Sequence, residues 1–237
     1  QFLSLGYLAV IFLGSLLLTL PFATKDGQST SYVNALFTST SATCVTGLVP
    51  YDTNTHWSLF GQVVIILLIQ TGGLGFMTFV SVLFGMLKRN MGLYERKAFM
   101  QSAGEWKLSG IRRLIRRIFI GTGIFEGCGA ILLSIRFIPD FGAAKGIYYA
   151  VWHSVSAFCN AGFDLMGGTF GGDTFVSFTR YAADPVVSLT LCGLIIIGGL
   201  GFCGSLLAFI LSFIPPSQIS TGSNTVWFSV LIIGAIV

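Results

Sequence analysis

The sequence predicts an all-α integral membrane protein built from repeated units, each a span, a half-length helix, a loop and a second span. Three observations predict it: a scarcity of charge, long charge-free stretches, and an internal repeat whose short segments cannot cross a bilayer. Of the 237 residues, 54% are hydrophobic and only 9% charged, with a mean hydropathy of +0.83. A soluble domain carries about a quarter charged residues, which keep its surface wet. This chain has too few to cover a globule of its size, so its excess apolar surface takes lipid as solvent.

No Asp, Glu, Lys or Arg occurs in residues 1–24, 57–87 or 185–237. A bilayer core takes roughly 20 apolar residues of helix. Lipid offers no water to unpaired backbone groups, so each stretch reads as helical. Residues 118–135 make a fourth candidate with a single charge, Glu126. Pro215, Pro216 and the polar residues 217–224 cut the last stretch into a span at 185–214 and the beginning of another at 226. No basic leader or cleavage site is visible at the start. The chain lacks an initiating Met and stops inside an apolar run, and is expected to be a fragment.

Nine of the thirteen Lys and Arg fall between Lys88 and Arg117, where Glu95 and Glu105 leave a net charge of +7. The positive-inside rule puts this connection in the cytoplasm. A basic run also suits nucleic acid, but one lying between two spans is explained by topology, and no nucleic-acid partner is expected. Residues 32–56 and 147–184 then lie on the outer side. The expected division is a first repeat at 1–87, the basic connection at 88–117, a second repeat at 118–214, and a linker with the start of a third repeat at 215–237.

The repeat is read directly. YVNALFTSTSATCVTGL (32–48) and IYYAVWHSVSAFCNAGF (147–163) share six of seventeen positions at a shift of 115: Ala35/Ala150, Ser39/Ser154, Ser41/Ser156, Ala42/Ala157, Cys44/Cys159 and Gly47/Gly162. LIQTGGLGF (68–76) and LIIIGGLGF (194–202) share seven of nine at a shift of 126. The eleven extra residues of the second half fall in the polar, Gly-rich stretch at 167–184.

Residues 32–41 make about 15 Å of helix, half a bilayer. Such a segment enters from outside, stops midway and returns through 43–48 as non-helical backbone. Lipid forbids that backbone unless it is buried in protein or lines water. A helix C-terminus aimed at the middle of the membrane carries partial negative charge, and main-chain carbonyls can replace the water around a bare cation. Gly47 and Gly162 permit the unusual dihedrals that inward-facing carbonyls demand. The bland alternative is a re-entrant helix that only packs.

SATCVTGL and SAFCNAGF, each followed by GGLGF in the next span, resemble the Trk/Ktr/HKT superfamily of potassium transporters, and within it the bacterial Ktr-type membrane subunit. The resemblance covers nearly the whole chain. It implies four such repeats around one pore, each giving one filter strand and one filter glycine. Carried over by position, the potassium filter is Thr43, Cys44, Val45, Thr46 and Gly47, with Phe158, Cys159, Asn160, Ala161 and Gly162. It further implies potassium as transported substrate with no cofactor, a homodimer of membrane subunits, and a cytoplasmic nucleotide-binding regulatory subunit. In this family glycine at the first filter position goes with potassium preference, and serine with sodium transport in some plant members. Only two repeats are complete here, so the third and fourth are expected from the remainder of the same protein.

Other residues keep two readings. Glu126 costs about 2.5–3.5 kcal/mol inside a span; it either fixes pore or gate geometry or binds an ion, or it simply reaches toward cytoplasmic water. Asp52 and Asp164 follow the two loops and either draw cations to the mouth or solvate the loops. His153 reads as packing. The five cysteines, without a CxxC pair, read as small buried thiols, and no zinc pattern is present. GGLG inside an apolar span, with no strand before it, is not a nucleotide loop; its small residues allow close approach to the filter loop. No catalytic triad or carboxylate pair appears, so no enzyme is expected. A sodium- or proton-coupled carrier with broken helices is the alternative transporter, although such repeats are usually inverted and these run the same way.

Overall fold

The computed structural model describes residues 2–74, 111–171 and 173–199. The segments at 75–87, 88–110, 200–214 and 215–237, and with them Cys203 and most of the expected cytoplasmic connection, lie outside the described residues. Within them the helices are α1 (Phe2–Thr19), α2 (Tyr32–Cys44), α3 (Thr53–His56), α4 (Leu59–Gly73), α5 (Ile111–Phe141), α6 (Ala143–Phe158) and α7 (Pro185–Gly199). Among the described residues there is no strand; a lone antiparallel bridge joins Thr24 to Trp57.

α1 stops because Pro21 has no N–H to continue it and forces Leu20 into extended backbone (φ −64°, ψ 142°). α5 is one continuous helix of 31 residues, longer than the 118–135 predicted, since its arginine-bearing start is helical too. Its apolar part, Phe119–Phe141, has 23 residues, about 35 Å of helix, long enough to cross a bilayer. Apolar helices Ser4–Thr19, Leu59–Gly73 and Pro185–Gly199 are shorter. A single residue, Gly142 at φ +81°, turns α5 into α6, so α6 begins four residues before the predicted 147.

α1, α2 and α4 pack as one group and α5, α6 and α7 as another, joined where α4 meets α6. The two groups use the same contacts. Ser39 Oγ donates to the Ile11 carbonyl at 2.8 Å, and Ser154 Oγ to the Glu126 carbonyl at 2.6 Å. A Cβ on Gly14 would stand 2.5 Å from Ser39 Oγ and 2.8 Å from Leu68; on Gly129, 2.5 Å from Ser154 Oγ and 2.6 Å from Leu194. Each pair of positions differs by the sequence shift, 115 or 126. The repeat in the letters is therefore a repeat of helix contacts, in which glycine lets a serine reach a neighbouring helix's backbone.

Around α3, His56 stacks on Tyr51 (ring centroids 4.1 Å apart), lies edge-on to Trp57, and its Nε2 bonds Thr30 Oγ1 at 3.0 Å. Burial lowers the His56 imidazole below its ordinary 6.5, against the raising effect of Asp26. A histidine with a depressed folded pKa stabilises the fold above its unfolded value, and that contribution is lost as pH falls through the folded value. Thermal stability is expected to fall as the pH drops below about 6.5, and to fall less in His56→Asn. An equal fall in both proteins would contradict this.

Candidate functional site

Two loops carry the site, and each is made by how a helix ends. α2 closes on Val45 in the left-handed region (φ 58°, ψ 43°), with the Val45 and Thr46 N–H groups both donating to the Ser41 carbonyl. The Thr46 bond, at 3.0 Å, is the wide closing bond of a Schellman-type end. α6 ends in the same way: Ala161 N–H donates to Ser156 O at 2.8 Å, and Asn160 has φ 58°. Asparagine tolerates that conformation, whereas β-branched valine is a genuine outlier. Such strain clusters where function over-determines the backbone. Two residues on, Gly47 (φ 75°) and Gly162 (φ 72°) are left-handed again.

Thr43, Cys44 and Phe158 are not in the loops as predicted. They are the last helical residues of α2 and α6, and Cys159 caps α6 in right-handed helical geometry. The reason is local: Thr43 Oγ1 bonds back to Ser39 O at 2.8 Å, and the helix continues until a residue turns left-handed. The non-helical backbone starts at Val45 and Asn160.

The loops touch backbone to backbone. A Cβ on Gly47 would stand 2.8 Å from the Ala161 carbonyl oxygen, and one on Gly162 3.4 Å from Gly47 Cα. Behind them stand the paired glycines of α4 and α7. A Cβ on Gly72 would overlap the Thr43 carbonyl oxygen, and one on Gly198 the Phe158 carbonyl oxygen. Gly72 and Gly198, the first glycines of the two GGLG stretches, thus lie directly on the ends of α2 and α6.

The covering of the two loops is unequal. On α6, Tyr148 Oη donates to Gln62 Oε1 (2.9 Å), Trp152 Nε1 to Gln62 O (3.4 Å), and Cys159 Sγ to Gln70 Oε1 (3.5 Å). α4 therefore buries Trp152 and Cys159. The matching residues of α2, Val33, Phe37 and Cys44, are exposed. So are Cys128 and Cys192, and all four described cysteines are free, with Cys159 alone buried among them. Apolar neighbours in sequence did not imply burial, because a thiol on a membrane helix can also face outward.

Asp52 is buried and caps α3. Its Oδ1 accepts from Asn54 N (3.0 Å), Thr55 N (2.8 Å) and Thr55 Oγ1 (3.0 Å), and its Oδ2 from Phe175 N (3.0 Å). It lies so close to Gly167 that a Cβ there would overlap the carboxylate. Asn54 adds a bond from Nδ2 to Gly167 O at 2.7 Å. One carboxylate thereby fastens the chain after the first loop to the chain after the second. Asp52→Ala removes the acceptor of three backbone N–H groups and is expected to cost about 2 kcal/mol in detergent thermal unfolding; a loss under about 0.5 kcal/mol would contradict the fastening. Asp164 accepts from Met166 N at 2.9 Å. Burial pushes its carboxyl above the ordinary carboxylate value, against bonds from Met166 and Ser177, and the charge of Asp52 adds to the rise.

Glu126 has a partner in the span: Gln70 Nε2 donates to its Oε1 at 2.9 Å. His153 is buried with Nδ1 2.6 Å from Tyr149 O, and its Nε2 accepts from Leu165 N at 2.9 Å. It braces α6 against the chain leaving the second loop, a local bonding role of the kind expected. Sequence reasoning passed over Gln62, Gln70 and Asn54. Gln70 had a signal, since it breaks the LIQTGGLGF/LIIIGGLGF match as a polar residue opposite Ile196.

These features define a chain whose described elements are helices, most of them apolar, and whose two halves each present a strained, glycine-bearing loop at the end of a short helix. Residues 5–221 match the family of TrkH cation transport proteins, and the chain belongs to that family. It is 40% identical over 202 residues to the potassium/sodium uptake protein NtpJ of Enterococcus hirae, and equally so over 202 residues to the Ktr system potassium uptake protein B of Bacillus subtilis; each match covers 85% of this chain and 43% of the relative. The Ktr system potassium uptake protein B of Vibrio alginolyticus is 40% identical over 198 residues, 84% of this chain and 41% of the relative. The chain thus spans less than half the length of these relatives.

Proposed function

We propose that this chain supplies two of the filter strands of a pore through which potassium enters the cell. The observation that carries the reading is the meeting of the 45–47 and 160–162 loops, each hung on a helix C-terminus and each left-handed at matching positions. α2 and α6, with 13 and 16 residues, are about 20 and 24 Å long, too short to span about 30 Å of hydrocarbon. Irregular backbone at that depth is stable where it lines water or protein. There the negative ends of the helices and the main-chain oxygens stand in for the hydration shell of a monovalent cation. The filter residues are Thr43 to Gly47 and Phe158 to Gly162. Thr43, Cys44, Phe158 and Cys159 contribute as the last turn or cap of each helix.

The exposed faces support a ring of more than two repeats. α4 seats on α6, while Val33, Phe37 and Cys44 of α2 offer the matching seat uncovered, and Ile196 of α7 is exposed where Gln70 of α4 is engaged. Third and fourth repeats of the same protein fill these faces in the proposed pore. We place residues 88–117 in the cytoplasm of a multi-pass cell-membrane protein, acting as a homodimer with a nucleotide-binding regulatory subunit. Cells lacking their own potassium uptake, given the intact protein, are expected to regain growth at low potassium and to take up potassium in preference to sodium. Membrane insertion with no gain in potassium uptake would refute the reading.

A further inference from the structure

Gln70 is a polar side chain in the last turn of the apolar helix α4, and both ends of its amide are engaged. Nε2 donates to Glu126 Oε1 at 2.9 Å, and Oε1 accepts from Cys159 Sγ at 3.5 Å. Cys159 caps α6 and immediately precedes the left-handed Asn160. One turn along α4, a Cβ on Gly73 would stand 2.5 Å from the Cys159 sulfur, so α4 is pressed onto that residue. The circuit closes on the other side, where Ser154 of α6 holds the Glu126 carbonyl at 2.6 Å.

The order of donors and acceptors follows from chemistry. A carboxylate only accepts, so it takes the amide N–H of Gln70 and turns the amide oxygen toward the thiol, which donates. The first half lacks this circuit. Ile11 stands where Glu126 does and makes the same serine contact, while Cys44 is exposed. Helix packing at this position therefore forms without a charge, and what the carboxylate adds is the direction of Gln70.

Resting on the ion path proposed above, we propose that Glu126 acts through Gln70 as a positioning pair for the second loop. It holds Cys159, and with it the turn at 160–162, in the geometry that discriminates potassium from sodium.

The test uses the intact protein in cells without other potassium uptake, with membrane protein quantified for each variant. Gln70→Met keeps length and removes both bonds. It is expected to lower the potassium-to-sodium uptake ratio about fivefold, the size of one net hydrogen bond. Glu126→Leu is expected to match it, Glu126→Gln to lose less, and the double variant Gln70→Met/Glu126→Leu to be no worse than either single. A ratio unchanged in Gln70→Met, or losses that add in the double variant, would overturn the proposal. Gly47→Ser, measured in parallel, separates the two readings. If it shifts the ratio and Gln70→Met does not, only the positioning role fails; if neither does, the ion path itself fails. Should Gln70→Met not accumulate, Glu126→Gln is compared with the parent after the other four cysteines are replaced by serine. Its neutral amide can rotate and release Gln70, so faster maleimide labelling of Cys159 is expected, and an unchanged rate overturns the proposal.

Discussion

Gly72→Ala is expected to abolish most potassium uptake while the chain still enters the membrane. The added methyl would overlap the Thr43 carbonyl oxygen, and its next neighbours are the Thr43 carbonyl carbon and Val45 Cγ2. A flexible side chain could swing aside; a backbone carbonyl in the last turn of α2 cannot. Either α4 retreats from α2 or the end of α2 moves, and overpacking of this kind costs about 1–3 kcal/mol. The displaced atoms lead straight into the 45–47 loop, so the loss in transport should exceed the loss in stability. Gly198→Ala meets the Phe158 carbonyl in the same way and should behave alike. Gly193→Ala is the control, since nothing stands within 4 Å of its added Cβ. Rubidium uptake with thermal unfolding of each purified variant checks this; uptake in Gly72→Ala equal to that in Gly193→Ala would contradict the close approach.

The second large effect is expected at Gly47. With φ at 75° any side chain is strained there, by about 1–2 kcal/mol for an L-residue in the left-handed region. Serine would also bring its Cβ to 2.8 Å from the Ala161 carbonyl oxygen, pushing apart the two loops. Gly162 carries the same strain (φ 72°) but meets only Gly47 Cα at 3.4 Å. Gly47→Ser should therefore reduce the preference for potassium over sodium more than Gly162→Ser does. Competition between the two ions in uptake measures it, and equal effects would show that strain alone, not contact between loops, governs both sites.

The repeat was legible because its shared letters are the residues that make the contacts: Ser39 and Ser154 reach across helices, and Gly47 and Gly162 turn left-handed. That residue 32 opens a short helix in the first half was legible too, and α2 has 13 residues. The end of α2 was not, because valine gives no hint of a left-handed cap, whereas Asn160 in the second half does. Asp52 could not be resolved from sequence, since its fourth partner, Phe175, lies 123 residues away. Glu126 advertised its need for a partner, but choosing Gln70 required knowing that this residue of α4 reaches both α5 and the end of α6. The uneven burial of Cys44 and Cys159 is likewise a consequence of which helix covers which loop, information that no local pattern holds.

The most direct test is to find where the ion sits. Thallium replaces potassium and is located by its anomalous scattering in crystals of the intact protein. The account predicts ordered thallium beside the main-chain oxygens of residues 45–47 and 160–162. Thallium ordered only at side-chain carboxylates, with none at those loops in protein that transports it, would contradict the account.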